Sequence, residues 1–269
     1  MKNYRLNRTD RIILNDLRKD YLSEISKPID DYWEIGIVET SEFYVISDEC
    51  ESAIGYVVIN SNEVIVQFYL IDDFKIHGNL LLKFVINELS IKKIWLPTYY
   101  KYSFMLACDI TNVHKVTDYI FRLSNFVNRN DIAYPIITNT LAEKTDLELL
   151  VDFYDKNIPD SNREWLYNYC SKWIDNDGIF LFYANDNLIG AGEIRHEDFA
   201  DEFAFLGIAV AEEYRRQGFG TYITSKMRDI ALDRKLHPIC SVDLKNEPSL
   251  KMVQSSGFFQ YDRIIVFDI

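Results

Sequence analysis

The stretch Tyr214–Thr221, "YRRQGFGT", decides how this chain reads. Two arginines and a glutamine lead into two glycines one residue apart. The apolar run "EFAFLGIAV" (residues 202–210) precedes them, and an amphipathic segment follows. In that segment Ile223, Met227, Ile230 and Ala231 share one helical face, which predicts a helix opening at the glycines. A helix starts with unpaired N–H groups and the positive end of its dipole, so its first turn attracts anions. Glycines there let the backbone approach a phosphate without side-chain interference. The amides from Gln217 to Thr221 could therefore cradle a pyrophosphate, with Arg215 and Arg216 adding charge-assisted contacts at the entrance. Two other phosphate patterns are absent: Thr221–Ser225 supplies no third glycine for G-x-G-x-x-G, and no Gly-Lys-Ser/Thr follows. On its own the string suits an ordinary helix start with solvated arginines equally well.

The surroundings extend the reading. "AYPIITNTL" (133–141) predicts a strand, and residues 143–157 and 162–176 have helical apolar spacing. "GIFLFYAND" and "NLIGAGEIRHED" read as two strands joined by a tight turn at Ala184–Asn187. "EFAFLGIAV" is apolar enough to be a central strand. After the glycine helix come a strand in "HPICSVDLKN", a short helix opened near Pro248 and capped at Gly257, and a final strand in "FQYDRIIVFDI".

An R/Q-x-x-G-x-G/A loop between an apolar strand and a helix, followed by strand, Asn, short helix and Gly-Phe, resembles the GNAT superfamily of N-acetyltransferases. Arg215, Gly218 and Gly220 fill the loop pattern, and "NEPSLKMVQSSGF" (Asn246–Phe258) is similar to the second signature. The resemblance covers Ala133–Ile269. It implies that acetyl-CoA lies between the "EFAFLGIAV" and "HPICSVDLKN" strands, paired along Ile208, Ala209 and Val210. The pyrophosphate would rest on Arg215, Arg216, Gln217, Gly218, Phe219, Gly220 and Thr221. Asn246 would hydrogen-bond the pantetheine, with Ser249 close by. The implied reaction is direct attack of an amine on the thioester, an acetyl (acyl) group passing to a primary amine of a small molecule. Two positions depart from the family: a tyrosine acid is replaced by Val253 and a glutamate base by Ala204. Glu202, two residues earlier, and Glu193 in "GAGEIR" are the substitute candidates for a base acting through water, although either also suits a solvated or paired strand carboxylate. Tyr214 and Tyr222 are further possible proton donors, or simply packing. Without an acid or base the chain would instead be a non-catalytic acyl-CoA or metabolite-binding protein on the same fold.

The first half repeats the order. "EFYVISDE", "AIGYVVINS" and "EVIVQFYLI" read as three strands, then comes "DDFKIHGNLLLKFVINEL" and the strand "IKKIWLP". Against the second half, Phe74 meets Tyr214, Lys75 meets Arg215 and Gly78 meets Gly218, but Asn79 and Leu80 replace Phe219 and Gly220. The expected architecture is α/β (α+β): two GNAT-like domains, each a mixed, mostly antiparallel sheet flanked by helices. A degenerate copy would span residues 1–127 and an acetyl-CoA-binding copy 128–269, with the linker in "SNFVNRND" (124–131). The first copy would pack on the second and build a wall of the acceptor site, to which the aromatic run "WLPTYYKYSF" (95–104) could contribute.

Composition bounds the rest. The 269 residues are 48% hydrophobic with only 10 Gly and 6 Pro, as in a globular protein with ample core. A net charge of −13 argues against a nucleic-acid partner, including transfer from a charged tRNA. It also suits a cationic amine, or merely solubility. Scattered Cys and His offer no metal-ligand spacing, so no metal is expected. With no signal peptide visible and no apolar run of about 20 residues, the chain reads as cytoplasmic with no membrane partner. Oligomeric state is not legible.

Overall fold

The computed structural model describes residues 4–124, 137–158, 162–200 and 202–269. The chain divides into two units, Met1–Ile120 with Asp262–Ile269, and Phe121–Tyr261. The boundary expected between residues 127 and 128, and most of the expected linker, lie outside the described residues.

In the first unit the order is β1 (Arg5–Thr9), α1 (Asn15–Glu24), a π-helical stretch Tyr32–Val38, β2 (Glu42–Ser47), β3 (Ala53–Ile59) and β4 (Val64–Leu70). There follow α2 (Asp72–Lys75), α3 (Gly78–Glu88), β5 (Lys93–Pro97), α4 (Lys101–Ile110) and β6 (His114–Leu123), which enters the second unit at Phe121. Strands β1 to β5 lie side by side in sequence order. All neighbours are antiparallel except β4 and β5. Every residue of β4 is buried, as a run apolar at all positions but Gln67 allows. The run "WLPTYYKYSF" is not a strand-and-loop wall. Trp95–Pro97 end β5, Lys101–Phe104 begin α4, and Tyr99 and Tyr100 sit 1% exposed inside this unit's own core.

The second unit continues with β7 (Ile137–Leu141), α5 (Leu147–Asn157), α6 (Arg163–Asp175), β8 (Ile179–Ala184), β9 (Asn187–Arg195) and β10 (Phe203–Val210). Then come α7 (Phe219–Asp233), β11 (His237–Asp243), α8 (Glu247–Ser255) and β12 (Phe258–Asp268), whose residues from Asp262 onward belong to the first unit and pair with β5. Strand β7 is shorter than the expected 133–141, whose first four residues are not among those described. Asn185 and Asp186, at φ 47° and 63°, make the two-residue turn between β8 and β9, the geometry that matches strand twist. The sheet runs β7-β8-β9-β10-β11, antiparallel except for β10 with β11. Helices α5 and α6 bury Leu150, Val151, Tyr154, Leu166 and Trp173 against Ile179, Leu181 and Ala191 on one face. Helix α7 takes the other, where Ile223 and Met227 lie over Gly190 and Gly192.

The two units share this strand order and one register. Gly55 of β3 pairs with Leu70, the last residue of β4, and Gly190 of β9 pairs with Val210, the last residue of β10. Each of those strands then feeds a turn and a helix.

Candidate functional site

A gap opens beside β10. Pairing with β11 is confined to Phe203↔His237, Ala204↔Pro238 and Phe205↔Ile239, whereas β9 stays in register as far as Val210↔Gly190. Ala211 N–H donates to the Ile189 carbonyl, and His237 N–H donates to that of Glu202. Alternation along the strand therefore turns the backbone groups of Leu206, Ile208 and Val210 toward β11 and away from β9. From Ile208 onward that edge has no strand beside it among the described residues. An extended ligand could add there as a strand would. Ala209, expected to join Ile208 and Val210 there, instead directs its backbone to β9 and its side chain to the α5–α6 core, because the strand period is two.

The glycine loop closes the far end of this gap. Gly218 is the N-cap of α7 at φ 89°, a left-handed conformation that glycine adopts without penalty. The first bond of the helix runs from Tyr222 N–H to the Gly218 carbonyl, so the amides of Gly218–Thr221 precede it without backbone acceptors among the described residues. The side chains around them are arranged differently from expectation. Arg215 donates Nε to the Val210 carbonyl at 3.0 Å and Nη2 to the Asn157 carbonyl at 2.8 Å. It clamps the loop to β10 and α5 rather than projecting. Asn157 also accepts the Glu212 N–H through Oδ1, an anchoring role that a lone asparagine at a helix end does not announce. Gln217 Nε2 donates to the Glu213 carbonyl. Arg216, at φ 60° and exposed, is left as the loop's available cation among the described residues. Phe219 packs edge-on to Tyr214 at 5.9 Å, and Gly220 faces the sulfur of Met252 on α8, where a Cβ would come within 2.7 Å. Tyr222 is buried against Phe182 and, like Tyr214, belongs to packing.

On α8, Asn246 is the N-cap, its Oδ1 accepting from Ser249 N–H at 3.2 Å. Both residues begin the helix that follows β11, and Val253, one turn further, is buried.

The corresponding loop of the first unit is built otherwise. Gly78 lies inside α3 without a positive φ, and a Cβ on it would fall 2.0 Å from the Tyr102 hydroxyl. That hydroxyl donates to the Lys75 carbonyl, and Lys75 itself pairs with Glu24 and Asp72. This glycine serves helix packing, and α4 occupies the space beside it.

The two carboxylate candidates differ sharply. Glu193 is buried, and both its oxygens are engaged: Tyr154 donates to Oε1, while Tyr169 and Arg195 donate to Oε2, each at 2.5 Å. Burial beside this carboxylate drives the Tyr154 hydroxyl well above its ordinary pKa and the Cys170 thiol to about 12. Three donors thus converge on this carboxylate, from α5, α6 and β9. Glu202 is exposed at the start of β10 and lines a cavity of about 560 Å³ with Phe203, His237, Phe259, Tyr261 and Arg122. Sequence reasoning did not single out Arg122 or this cavity, since its residues come from four separated stretches. Among the described residues no group of three or more His, Cys, Asp or Glu could hold a metal ion. No described helix is long and apolar enough to cross a membrane.

A model described as an acetyltransferase (GNAT) domain matches residues 10–124, and one described as the acetyltransferase (GNAT) family matches residues 147–258. Solved structures share the fold over the whole chain. An acetyltransferase from the GNAT family of Colwellia psychrerythraea is 22% identical with a TM-score of 0.90, over 98% of this chain and 99% of that one. A GCN5-related N-acetyltransferase from Sphaerobacter thermophilus is 10% identical with a TM-score of 0.63, over 98% and 94%. A tandem GNAT protein from the clavulanic acid biosynthesis pathway is 8% identical with a TM-score of 0.63, over 98% and 97%. No curated protein matches.

Proposed function

We propose, from the premise that this chain belongs to the GNAT acetyltransferase family with one such domain in each half, that its second unit transfers an acetyl group from acetyl-CoA to a primary amine of a small molecule. The observation that carries this reading is the β10 edge that no described strand covers beyond Ile208, ending at the Gly218–Thr221 amides that precede the first backbone bond of α7. An extended chain with a pyrophosphate at one end fits that sequence of groups. The fit is a property of the backbone, and a Cβ at Gly218 would strain it.

Acetyl-CoA supplies the activated acyl group as a thioester. The chain supplies position. The pyrophosphate rests on the loop amides, with Arg216 as the nearby cation and Arg215 holding the loop in shape. Ile208 and the Val210 N–H pair with the pantetheine arm, the Val210 carbonyl being taken by Arg215. Asn246 and Ser249 border the arm from α8. Holding amine and thioester together removes the entropy cost of a bimolecular encounter, and strand amides polarise the carbonyl. Glu202 takes the amine's proton through water. Glu193, its oxygens already satisfied, maintains the α5–α6 packing instead. No acid stands at Val253, so the thiolate leaves unaided. The first unit, with Tyr102 on Gly78 and no left-handed glycine, does not bind acetyl-CoA. Exposed free thiols at Cys50 and Cys108 suit a reducing cytoplasm.

Release of free thiol from acetyl-CoA in the presence of an amine panel tests the reaction. The burial of Val253 and Ala204, where an acid and a base would stand, favours a second reading as an acyl-CoA-binding protein without turnover. That protein would bind acetyl-CoA yet release no thiol with any amine.

A further inference from the structure

The cavity at the start of β10 and β11 joins an exposed carboxylate to an aromatic wall. Every residue lining it lies within the second unit. Glu202, immediately before β10, is exposed there, and no described side chain pairs with its carboxylate. Phe259 and Tyr261 stand two residues apart on β12 and so share a face. Both rings are large, yet they are 46% and 51% exposed. They meet edge-on, with centroids 6.2 Å apart and planes at 81°. Phe203 and His237, paired across β10 and β11, continue the wall with centroids 5.8 Å apart. Arg122 is committed to the same rings: its guanidinium carbon lies 3.5 Å from the Tyr261 centroid and 5.3 Å from that of Phe203. Its role here is to build the wall. Aromatic surface left open in a concavity of about 560 Å³ is what a small aromatic ligand would cover. The free carboxylate beside it calls for a positive charge on that ligand. The cavity also lies in line with the donor, standing at one end of β10 with the glycine loop at the other. A ligand lying along the strand from the loop points its far end toward the cavity.

We infer that this cavity is the acceptor site and that the acceptor is an arylalkylamine, its ring against Phe259 and its ammonium beside Glu202; the inference rests on the transferase reading above. The ammonium gives one proton to Glu202 through water. The freed nitrogen forms a bond to the thioester carbonyl carbon, the carbon–sulfur bond breaks, and the departing thiolate takes the second proton from nitrogen. The products are the N-acetyl arylalkylamine and CoA thiol, and Glu202 returns its proton to solvent.

The test compares 2-phenylethylamine, 2-cyclohexylethylamine and n-butylamine as acceptors, by thiol release at saturating acetyl-CoA. Rates are corrected for the fraction of free amine. The phenyl compound is expected to have kcat/KM at least threefold above the cyclohexyl one, and at least tenfold above n-butylamine, which has no ring. Phe259→Ala should bring the phenyl and cyclohexyl values within twofold of each other. As inhibitors, N,N-dimethyl-2-phenylethylamine, which keeps the positive charge, should bind at least tenfold more tightly than 2-phenylethanol, which lacks it. The ligand comparisons need only the wild type, so misfolding of Phe259→Ala leaves the test intact. Calorimetric titration of acetyl-CoA is run alongside. Failure of acetyl-CoA to bind, or thiol released with no amine of a panel that adds L-lysine and spermidine, overturns the transferase reading itself. Thiol released with other amines but not with 2-phenylethylamine overturns the inference alone. So does either ring preference or the charge preference falling short of its stated fold, or a folded Phe259→Ala that keeps the phenyl preference.

Discussion

Replacing Glu34 by Gln should remove a pH dependence built into the first unit. Glu34 stands on the π-helical stretch, 2% exposed, accepting from the Tyr100 hydroxyl, with Arg18 Nη2 3.9 Å away. Tyr100 in turn accepts from Gln67 Nε2, and Gln67 Oε1 accepts from Tyr56, so the carboxyl ends a buried polar chain. Burial, outweighing Tyr100 and Arg18, pushes its pKa from 4.5 to about 7. A carboxyl whose folded pKa exceeds its unfolded one favours folding in its protonated form. That contribution is complete below pH 4.5 and is lost as pH rises through about 7. The difference of about 2.5 pKa units corresponds to roughly 3 kcal/mol between the two ends of this window. For a unit of this size that is on the order of 10 °C in Tm. Thermal melts of the full chain and of Glu34→Gln, followed by circular dichroism from pH 5 to 8.5, read the effect as a difference of differences. The wild type should lose stability relative to the variant as pH rises, by several degrees at least. Parallel profiles, or a wild type that gains on the variant above pH 7, would refute the reasoning.

Gly218→Val should cost about 1–2 kcal/mol of stability, since a β-branched residue is forced into the left-handed region; urea unfolding measures it. Arg215→Met removes two charge-assisted bonds to carbonyls and should cost about 1.5–3 kcal/mol while weakening acetyl-CoA binding, both read on the same sample by urea unfolding and calorimetry. Glu193→Gln should lower Tm, because Arg195 and two tyrosine hydroxyls lose their charged acceptor, and leave the pH profile of kcat unmoved. Glu202→Gln should do the reverse, shifting the profile with Tm unchanged; interchanged outcomes would reassign the base.

Much of the fold was legible because alternation and helical spacing are local. The hairpin at Asn185–Asp186, the apolar β10 and the glycine helix all follow from neighbours in sequence, and the repeated strand order reappears as Gly55 and Gly190 at equivalent register. Strands β1 and β6, helices α1 and α4 and the π-helical stretch were not read. Helix α1 buries only Tyr21, so its charged sequence gives no apolar stripe, and α4 was masked by an aromatic run that looked like strand and loop. The site divides the same way. Of the backbone elements, the glycine loop before α7 was read from its motif and the gap beside Ile208 was implied by the family resemblance, while the left-handed Gly218 was not foreseen. The side chains were not legible, because their partners are distant in sequence: Arg215 reaches Asn157, Glu193 reaches Tyr154 and Tyr169, and Arg122 stacks on Tyr261. Spacing alone could not tell an arginine that clamps a loop from one that meets a phosphate.

Calorimetric titration of the full chain with acetyl-CoA tests the central claim most directly. One site per chain is predicted, lost or weakened at least tenfold in Gly218→Val whose fold is retained by circular dichroism. Two sites per chain, no binding at millimolar acetyl-CoA, or affinity unchanged in Gly218→Val would contradict the assignment of the donor site to the second unit's glycine loop.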